Sequence, residues 1–400
     1  MTSTYQRFAV VAASVALSFT AIEANSAQAA SLYSVTDLGS LSGSTNSYAN
    51  SINNVGQVVF NAGLGSTNGS PLRGFLYSNG QLLEISPPPG DTDINVIDIN
   101  NVGQVLANSA NDNNFTGVTP LIYSDGTTQS LGFEDSIAYA INDLGQVVGG
   151  TTGGGIFPEL AFPNGAAFLY ERGTATILNT NLEENYIAYG LNNLSQVVGI
   201  FGSLSRAFLY DNGAITNLGT LPGDNYSSAE DINDLGQVVG NSGFSDFSNV
   251  TAFLYSSTTG MTSLGRLFST DSYSFALGIN NLGQVVGWSG TNFSPTSGDG
   301  VRAFLYSDGV MQDLNSLVAS DSDLILTRAQ AINDRGEIVG AGTINGELHA
   351  VLLTPQQDVP EPASTIGILL FSALGAGWQL KRKLRKRSPF QGRDILERGR

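Results

Sequence analysis

AINDLGQVVGG, from Ala140 to Gly150, decides the reading of this chain, because near-copies of it recur along most of the 400 residues. Its Ile/Leu-Asn pair stands at Ile52-Asn53, Ile99-Asn100, Ile141-Asn142, Leu191-Asn192, Ile232-Asn233, Ile279-Asn280 and Ile332-Asn333. Successive asparagines are 47, 42, 50, 41, 47 and 53 residues apart. A second element follows each copy: GFLY ending at Tyr77, PLIY at Tyr123, AFLY at Tyr170, Tyr210, Tyr255 and Tyr306, and AVLL at Leu353. A third carries Leu-Gly, at Leu38-Gly39, Leu131-Gly132, Leu218-Gly219 and Leu264-Gly265, with weaker copies near Leu83, Leu178 and Leu314.

Each element has a local cause. Asn-(Asn/Asp)-x-Gly is tight-turn chemistry: the Asx side chain caps the start, and glycine takes the left-handed position that a β-carbon disfavours. Gln-Val-Val-Gly then reads as a short β-branched strand. Ala-Phe-Leu-Tyr reads as an apolar strand fit for an interior position. Ser-Asp-Gly, Asp-Asn-Gly or Ser-Asn-Gly turns it into the Leu-Gly strand. Four short strands therefore fit each unit of 41 to 53 residues. Such a unit buries its faces only by stacking on a neighbour, which is why the copies exist. Ser195 in place of the turn glycine, Phe60 and Ala107 in place of the last glycine, and Arg335 with Glu337 in the seventh copy read as tolerated drift.

Four strands per repeat at this length predict an all-β chain, a seven-bladed β-propeller, in preference to an open repeat array or a series of β-sandwiches. The body begins with a lone Leu-Gly strand, YSVTDLGSL from Tyr33, and ends with ELHAVLLTP, which lacks one. The two terminal pieces complete one another, so strands from both ends can close the last blade and leave no exposed edge.

Composition narrows the function. Hydrophobic residues at 41% are too many for a disordered chain, and 48 glycines suit a turn-rich β protein. With no cysteine, a disulfide framework or thiolate site is impossible, and His349 is the one histidine. The formal charge is −17, but nine of the 17 basic residues lie at or beyond Lys381. Between Ser31 and Pro360 seven arginines face 30 acidic residues, a net of −23. A body so acidic repels phosphate backbones, so no nucleic-acid partner is expected.

The two ends read as addresses. One positive charge, an apolar run from Phe8 to Ile22 and the small residues Ala27 and Ala29 form the pattern of a signal peptide over 1–29, a substrate for signal peptidase. The repeats occupy 30–356, followed by a linker at 357–362. The run 363–380 carries no charge and, as a helix, spans about 27 Å, close to a hydrocarbon core. Lys381, Arg382, Lys383, Arg385, Lys386 and Arg387 follow at once, so the segment 381–400 is expected on the cytoplasmic side. Val359, Pro360, Glu361 and Pro362, with this helix and basic end, resemble the PEP-CTERM sorting domain. That resemblance implies an exosortase as partner, membrane anchoring before processing, and a final place at the cell surface or outside the cell. The repeats, over roughly Leu32 to Leu353, resemble the HAF family of extracellular repeats, which implies location and architecture but no biochemical activity.

Catalytic sets are hard to assemble. His349 lies in a strand-like run and reads as packed or surface-exposed. The acidic pairs Asp91 and Asp93, Glu183 and Glu184, and Asp321 and Asp323 could serve acid–base chemistry or ligate calcium, but none follows a calcium-loop pattern. Ordinary turn acidity is the simpler account, so no cofactor, metal or catalytic residue is expected. The repeated tyrosines read as packing. The sequence thus predicts a non-enzymatic exported surface protein in adhesive contact with exopolysaccharide or protein. Its alternative is an envelope glycan hydrolase or lyase using loop carboxylates.

Overall fold

The computed structural model describes residues 32–42, 46–63, 71–111, 117–151, 165–178, 184–203, 205–293, 300–319 and 323–356. The chain divides into two units, Met1–Pro355 and Gln356–Arg400, and the fold below is that of the first. Ala27 and Ala29, the Val359–Pro362 element, the apolar run 363–380 and the basic residues from Lys381 lie outside the described residues. Among the described residues no helix is long and apolar enough to cross a membrane.

The described residues of the first unit form an all-β, propeller-like fold. Its strands form five four-stranded antiparallel sheets and one eight-stranded sheet, in which two four-stranded groups meet through a single parallel pair, Val250–Tyr273. Seven four-stranded groups result. Their first strands are Ser47–Ile52, Asp93–Ile99, Ser136–Ile141, Tyr186–Leu191, Tyr226–Ile232, Tyr273–Ile279 and Ile325–Ile332. The opening stretch is therefore a hairpin from the first strand of a group, through the Asn turn, into the second.

The last group closes as its half-repeats imply. Tyr33–Asp37, from the start of the body, pairs antiparallel with Glu347–Pro355, from its end. His349 Nδ1 lies 3.0 Å from Asp37 Oδ1, so the lone histidine helps fasten the closing strand.

The core lies between groups rather than within them. Val197 packs between the third and fourth groups, and its neighbour Val198 packs between the fourth and fifth. Adjacent strand residues point to opposite faces, and here both faces are covered, so the aliphatic doublet of each repeat (Val-Val in five, Val105-Leu106 and Ile338-Val339 in the others) serves two clusters at once. The phenylalanines of the Phe-Leu-Tyr strands, such as Phe208 and Phe253, are fully buried in these clusters, and Tyr210 and Tyr255 pack along their margins.

The glycine that ends Gln-Val-Val-Gly has a steric cause. A β-carbon on Gly199 would stand 1.9 Å from the Ile187 carbonyl oxygen, and one on Gly240 would stand 2.0 Å from that of Ser228. The first strand approaches too closely there for any side chain. Gly240→Ala is expected to destabilise the protein by about 1–3 kcal/mol through overpacking, read as a lowered midpoint in urea. Ala107→Gly, at a position that already accommodates a methyl group, carries no such clash to relieve.

Candidate functional site: the axial channel and its asparagine ring

The turn asparagine is a four-way node in six repeats and a three-way node at Asn100. Asn192 Oδ1 accepts from the backbone N–H of Leu194 and Gln196 at 3.0 and 2.9 Å. Its Nδ2 donates to Gln196 Oε1 at 2.8 Å and to the Asn233 carbonyl of the next repeat at 3.0 Å. The last contact recurs from Asn53 to Asn100, Asn142, Asn192, Asn233, Asn280 and Asn333, and Asn333 donates back to Asn53 at 2.9 Å. Seven side chains join the repeats into a closed ring.

A second ring lies beside it. The backbone N–H of Asn54, Asn101, Asp143, Asn193, Asp234, Asn281 and Asp334 each donates to the side chain of the next member, at 2.7–2.9 Å, and Asp334 donates to Asn54. The carboxylates also accept side-chain amide hydrogens, as Asp234 does from Asn193 and Asp334 from Asn281. Both rings line a cavity of about 190 Å³ on the axis.

Two apparent irregularities of the repeat make contacts of their own. Ser195 adopts φ 60°, and its Oγ donates to Gln146 Oε1 of the preceding repeat at 2.9 Å. In the seventh copy Glu337 replaces the glutamine as acceptor for Asn333, and Arg335 pairs with it at 2.6 Å. The turn residue after the second Asx is an aliphatic, 58–70% exposed, in six copies: Val55, Val102, Leu144, Leu194, Leu235 and Leu282. Among the described residues it belongs to no core cluster.

Further along the axis each first strand carries a β-bulge at the same place. The bulged residues are Asn50, Ile97, Tyr139, Tyr189, Glu230, Leu277 and Gln330, and all seven line a second axial cavity of about 290 Å³. That is the small end of the range for ligand sites, about 300–1,000 Å³. A bulge re-aims a side chain, and here it turns one per repeat toward the axis. The alanine before each bulge, or Val96 in the second group, is buried between groups, whereas the bulged residue changes from copy to copy.

The channel is chemically mixed. Tyr139 and Tyr189 meet edge to face, 5.1 Å between centroids. Glu230 Oε1 accepts from Ser228 Oγ at 2.7 Å and Asn241 Nδ2 at 3.0 Å. Asp98 accepts from Ser51 Oγ at 2.6 Å and from the backbone N–H of Ile99 and of Ile141 in the next group. Asp231 likewise accepts from Ile232 and from Ile279 of the next group. Burial raises the carboxyls of Asp98 and Glu230 above their ordinary values and pushes Asp231 up to about 7, against the hydrogen bonds that oppose the shift. Burial, with the Glu230 charge nearby, also raises the Tyr139 and Tyr189 hydroxyls and pushes Tyr226 up to about 12.

The acidic pairs singled out in the sequence do other work. Asp93 accepts from the Leu72 N–H and Thr92 Oγ1, and Asp91 from Ser109 Oγ, so both brace connections between strands. Glu184 accepts from the Tyr186 hydroxyl at 3.5 Å, and Asp323 is exposed, while Glu183 and Asp321 lie outside the described residues. None of the described members lines either axial cavity. Among the described residues no three acidic or histidine side chains converge as a metal site. The channel carboxyls were legible only through alignment of the copies: Asp98 and Asp231 stand immediately before Ile-Asn, where other repeats carry Ser, Ala or Gly.

No curated protein sequence matches the chain. The model of a family described as a protein of unknown function, DUF3466, matches residues 184–351. Among solved structures, the oligogalacturonate lyase of Vibrio parahaemolyticus is similar with a TM-score of 0.50 and 12% identity, over 82% of this chain and 94% of that one. A prolyl endopeptidase is similar at TM-score 0.52 and 8% identity, over 82% of this chain and 51% of that one, so this chain spans about half its length. The β-propeller domain of the Trilobed protease from Pyrococcus furiosus matches at TM-score 0.47 and 8% identity, over 79% of this chain and all of that domain. At these identities the likeness is one of fold.

Two measurements check this geometry. Asn192→Ala leaves backbone donors and a carbonyl without partners and is expected to cost about 2–4 kcal/mol. Asn333→Ala should cost about the same if the ring is closed, whereas in an open array it would cost less by the missing bond to the Asn53 carbonyl. Carboxyls raised in the fold, Asp231 above all, hold their proton more tightly folded than unfolded. For Asp231 the stabilising contribution is full below the unfolded value of 3.8 and is lost as pH rises through about 7. The melting temperature should therefore fall between pH 4.5 and 7.5, and Asp231→Asn should flatten that slope.

Proposed function

We propose that this chain is an exported envelope protein, a seven-bladed β-propeller that binds a polyhydroxylated ligand in its axial channel without transforming it. The observation that carries this reading is the ring of seven bulged residues, whose identities differ between copies of a motif that otherwise repeats. Packing needs identical residues in equivalent places, whereas recognition of an asymmetric ligand needs different ones. Tyrosine faces, amides, a carboxyl and a guanidinium around one small cavity suit a sugar, which presents an apolar ring face and a rim of hydroxyls.

Export and sorting belong to the same proposal. The signal-like segment with Ala27 and Ala29, the Val359-Pro360-Glu361-Pro362 element, the apolar run 363–380 and the basic stop from Lys381 support a route through signal peptidase, the inner membrane and an exosortase to the cell surface. Exopolysaccharide is the partner that such a location and such a channel have in common. Intact mass of the protein from its host should lack residues 1–29, and retention of that segment would end the export proposal.

A second reading as a glycan hydrolase or lyase draws on Asp231, pushed up to about 7, beside Glu230. It places the acids in the channel rather than in the loops. The two readings separate in one experiment: glycan oligomers incubated with the full-length protein and analysed for binding and for products. Binding that Tyr189→Ala abolishes, with the sugar recovered intact, supports the binding protein. Product formed by the wild type and lost in Glu230→Gln would replace it with an enzyme.

A further inference from the structure

Seven arginines lie between Ser31 and Pro360, and six of them have partners. Arg73 pairs with Glu84, Arg172 with Glu171 and Arg335 with Glu337. Arg206 donates to the Asn225 carbonyl, Arg266 to Asn249 and Thr251, and Arg302 to its neighbour's carbonyl. Arg328 differs. It forms no ion pair and no side-chain hydrogen bond among the described residues, and its Nε is enclosed without any acceptor. An enclosed guanidinium without a counter-ion is costly, so such groups are normally paired. Burial accordingly pulls the Arg328 guanidinium below its ordinary value, against the charges of Glu230 and Tyr48.

Arg328 stands in the first strand of the seventh group and lines the 290 Å³ cavity. In a closed ring of seven places, the seventh faces the boundary between the third and fourth. Those two groups supply Tyr139 and Tyr189, so the strand that carries Arg328 stands across the ring from the aromatic pair, and all three residues line one cavity. Asn50, Asn95, Gln330 and Glu230 fill the wall around them.

We propose that the channel selects a uronic acid residue, with its ring against Tyr139 and Tyr189 and its carboxylate on Arg328. This rests on the channel being a ligand site, as argued above. A guanidinium fork matches the two oxygens of a carboxylate and also those of a phosphate. Asp98, Glu230 and Asp231 border the same space and weigh against a dianion, which leaves the monoanionic carboxylate as the better fit.

The test uses full-length protein and calorimetric titration with digalacturonate, the neutral galactose dimer and galactose 6-phosphate. Wild type is expected to bind digalacturonate at least about tenfold more tightly than the neutral dimer, the worth of one charge-assisted contact. Arg328→Gln should bring the two within about twofold while the protein stays folded, because the guanidinium makes no ion pair or side-chain hydrogen bond among the described residues. Arg328→Lys should retain part of the preference. Equal binding of both dimers by wild type, or a preference that survives Arg328→Gln, overturns the uronate assignment and leaves the sugar-binding reading standing. Stronger binding of the phosphate overturns it also. No binding of any of the three sinks both.

Discussion

An amide side chain that both gives and receives hydrogen bonds holds this architecture together. The turn asparagine satisfies two backbone donors of its own hairpin and one carbonyl of the next, so each local turn is completed only when its neighbour is in place. Aspartate could accept but not donate, and glutamine would overshoot the turn. The constraint makes turn and assembly a single event. With no separate core inside any one group, a group on its own would expose both faces of its Val-Val strand. Closure of the ring leaves neither end of the array in need of a cap.

Stability and specificity occupy different residues of the same strand. The alanine before the bulge, the isoleucine or leucine after it and the asparagine beyond repeat because they face equivalent neighbours. The bulged residue faces the axis, where seven equivalent places meet one shared space, and nothing in the packing requires those places to match. Asp98 and Asp231 combine both roles: each ties its group to the next through a backbone N–H and also borders the cavity. That double duty explains why both hold their protons more tightly than an ordinary carboxyl, since they stay enclosed whatever occupies the channel.

Much of the fold was legible in the sequence because repetition multiplies a weak local signal. One Asn-x-x-Gly turn is a hint, and seven with matching strands define a unit, its length and the complementary half-repeats at Tyr33 and Leu353. The site was harder to find, for a physical reason. Loop acids such as Asp91 and Asp93 attract notice because they are clustered, yet clustering in sequence brought them only to bracing roles. The bulged residues of successive repeats are 41 to 53 positions apart and mostly differ in type, so only the ring brings Tyr139, Tyr189, Glu230 and Arg328 together. The pairing of Arg335 with Glu337 was hidden likewise, since it concerns an asparagine two and four residues upstream.

The second ring has an arithmetic of its own. Asparagine and aspartate alternate from Asn101 through Asp143, Asn193, Asp234, Asn281 and Asp334 to Asn54, so every carboxylate has an amide on either side. Strict alternation cannot close on an odd number of places; somewhere two members of one kind must meet. They meet at Asn54 and Asn101, where two amides adjoin at far less cost than two carboxylates would. This parity defect falls between the first and second repeats and gives a nearly symmetric ring a fixed origin. A permuted chain that began at another repeat would carry the same defect in the same place, as a seam written in chemistry rather than in connectivity.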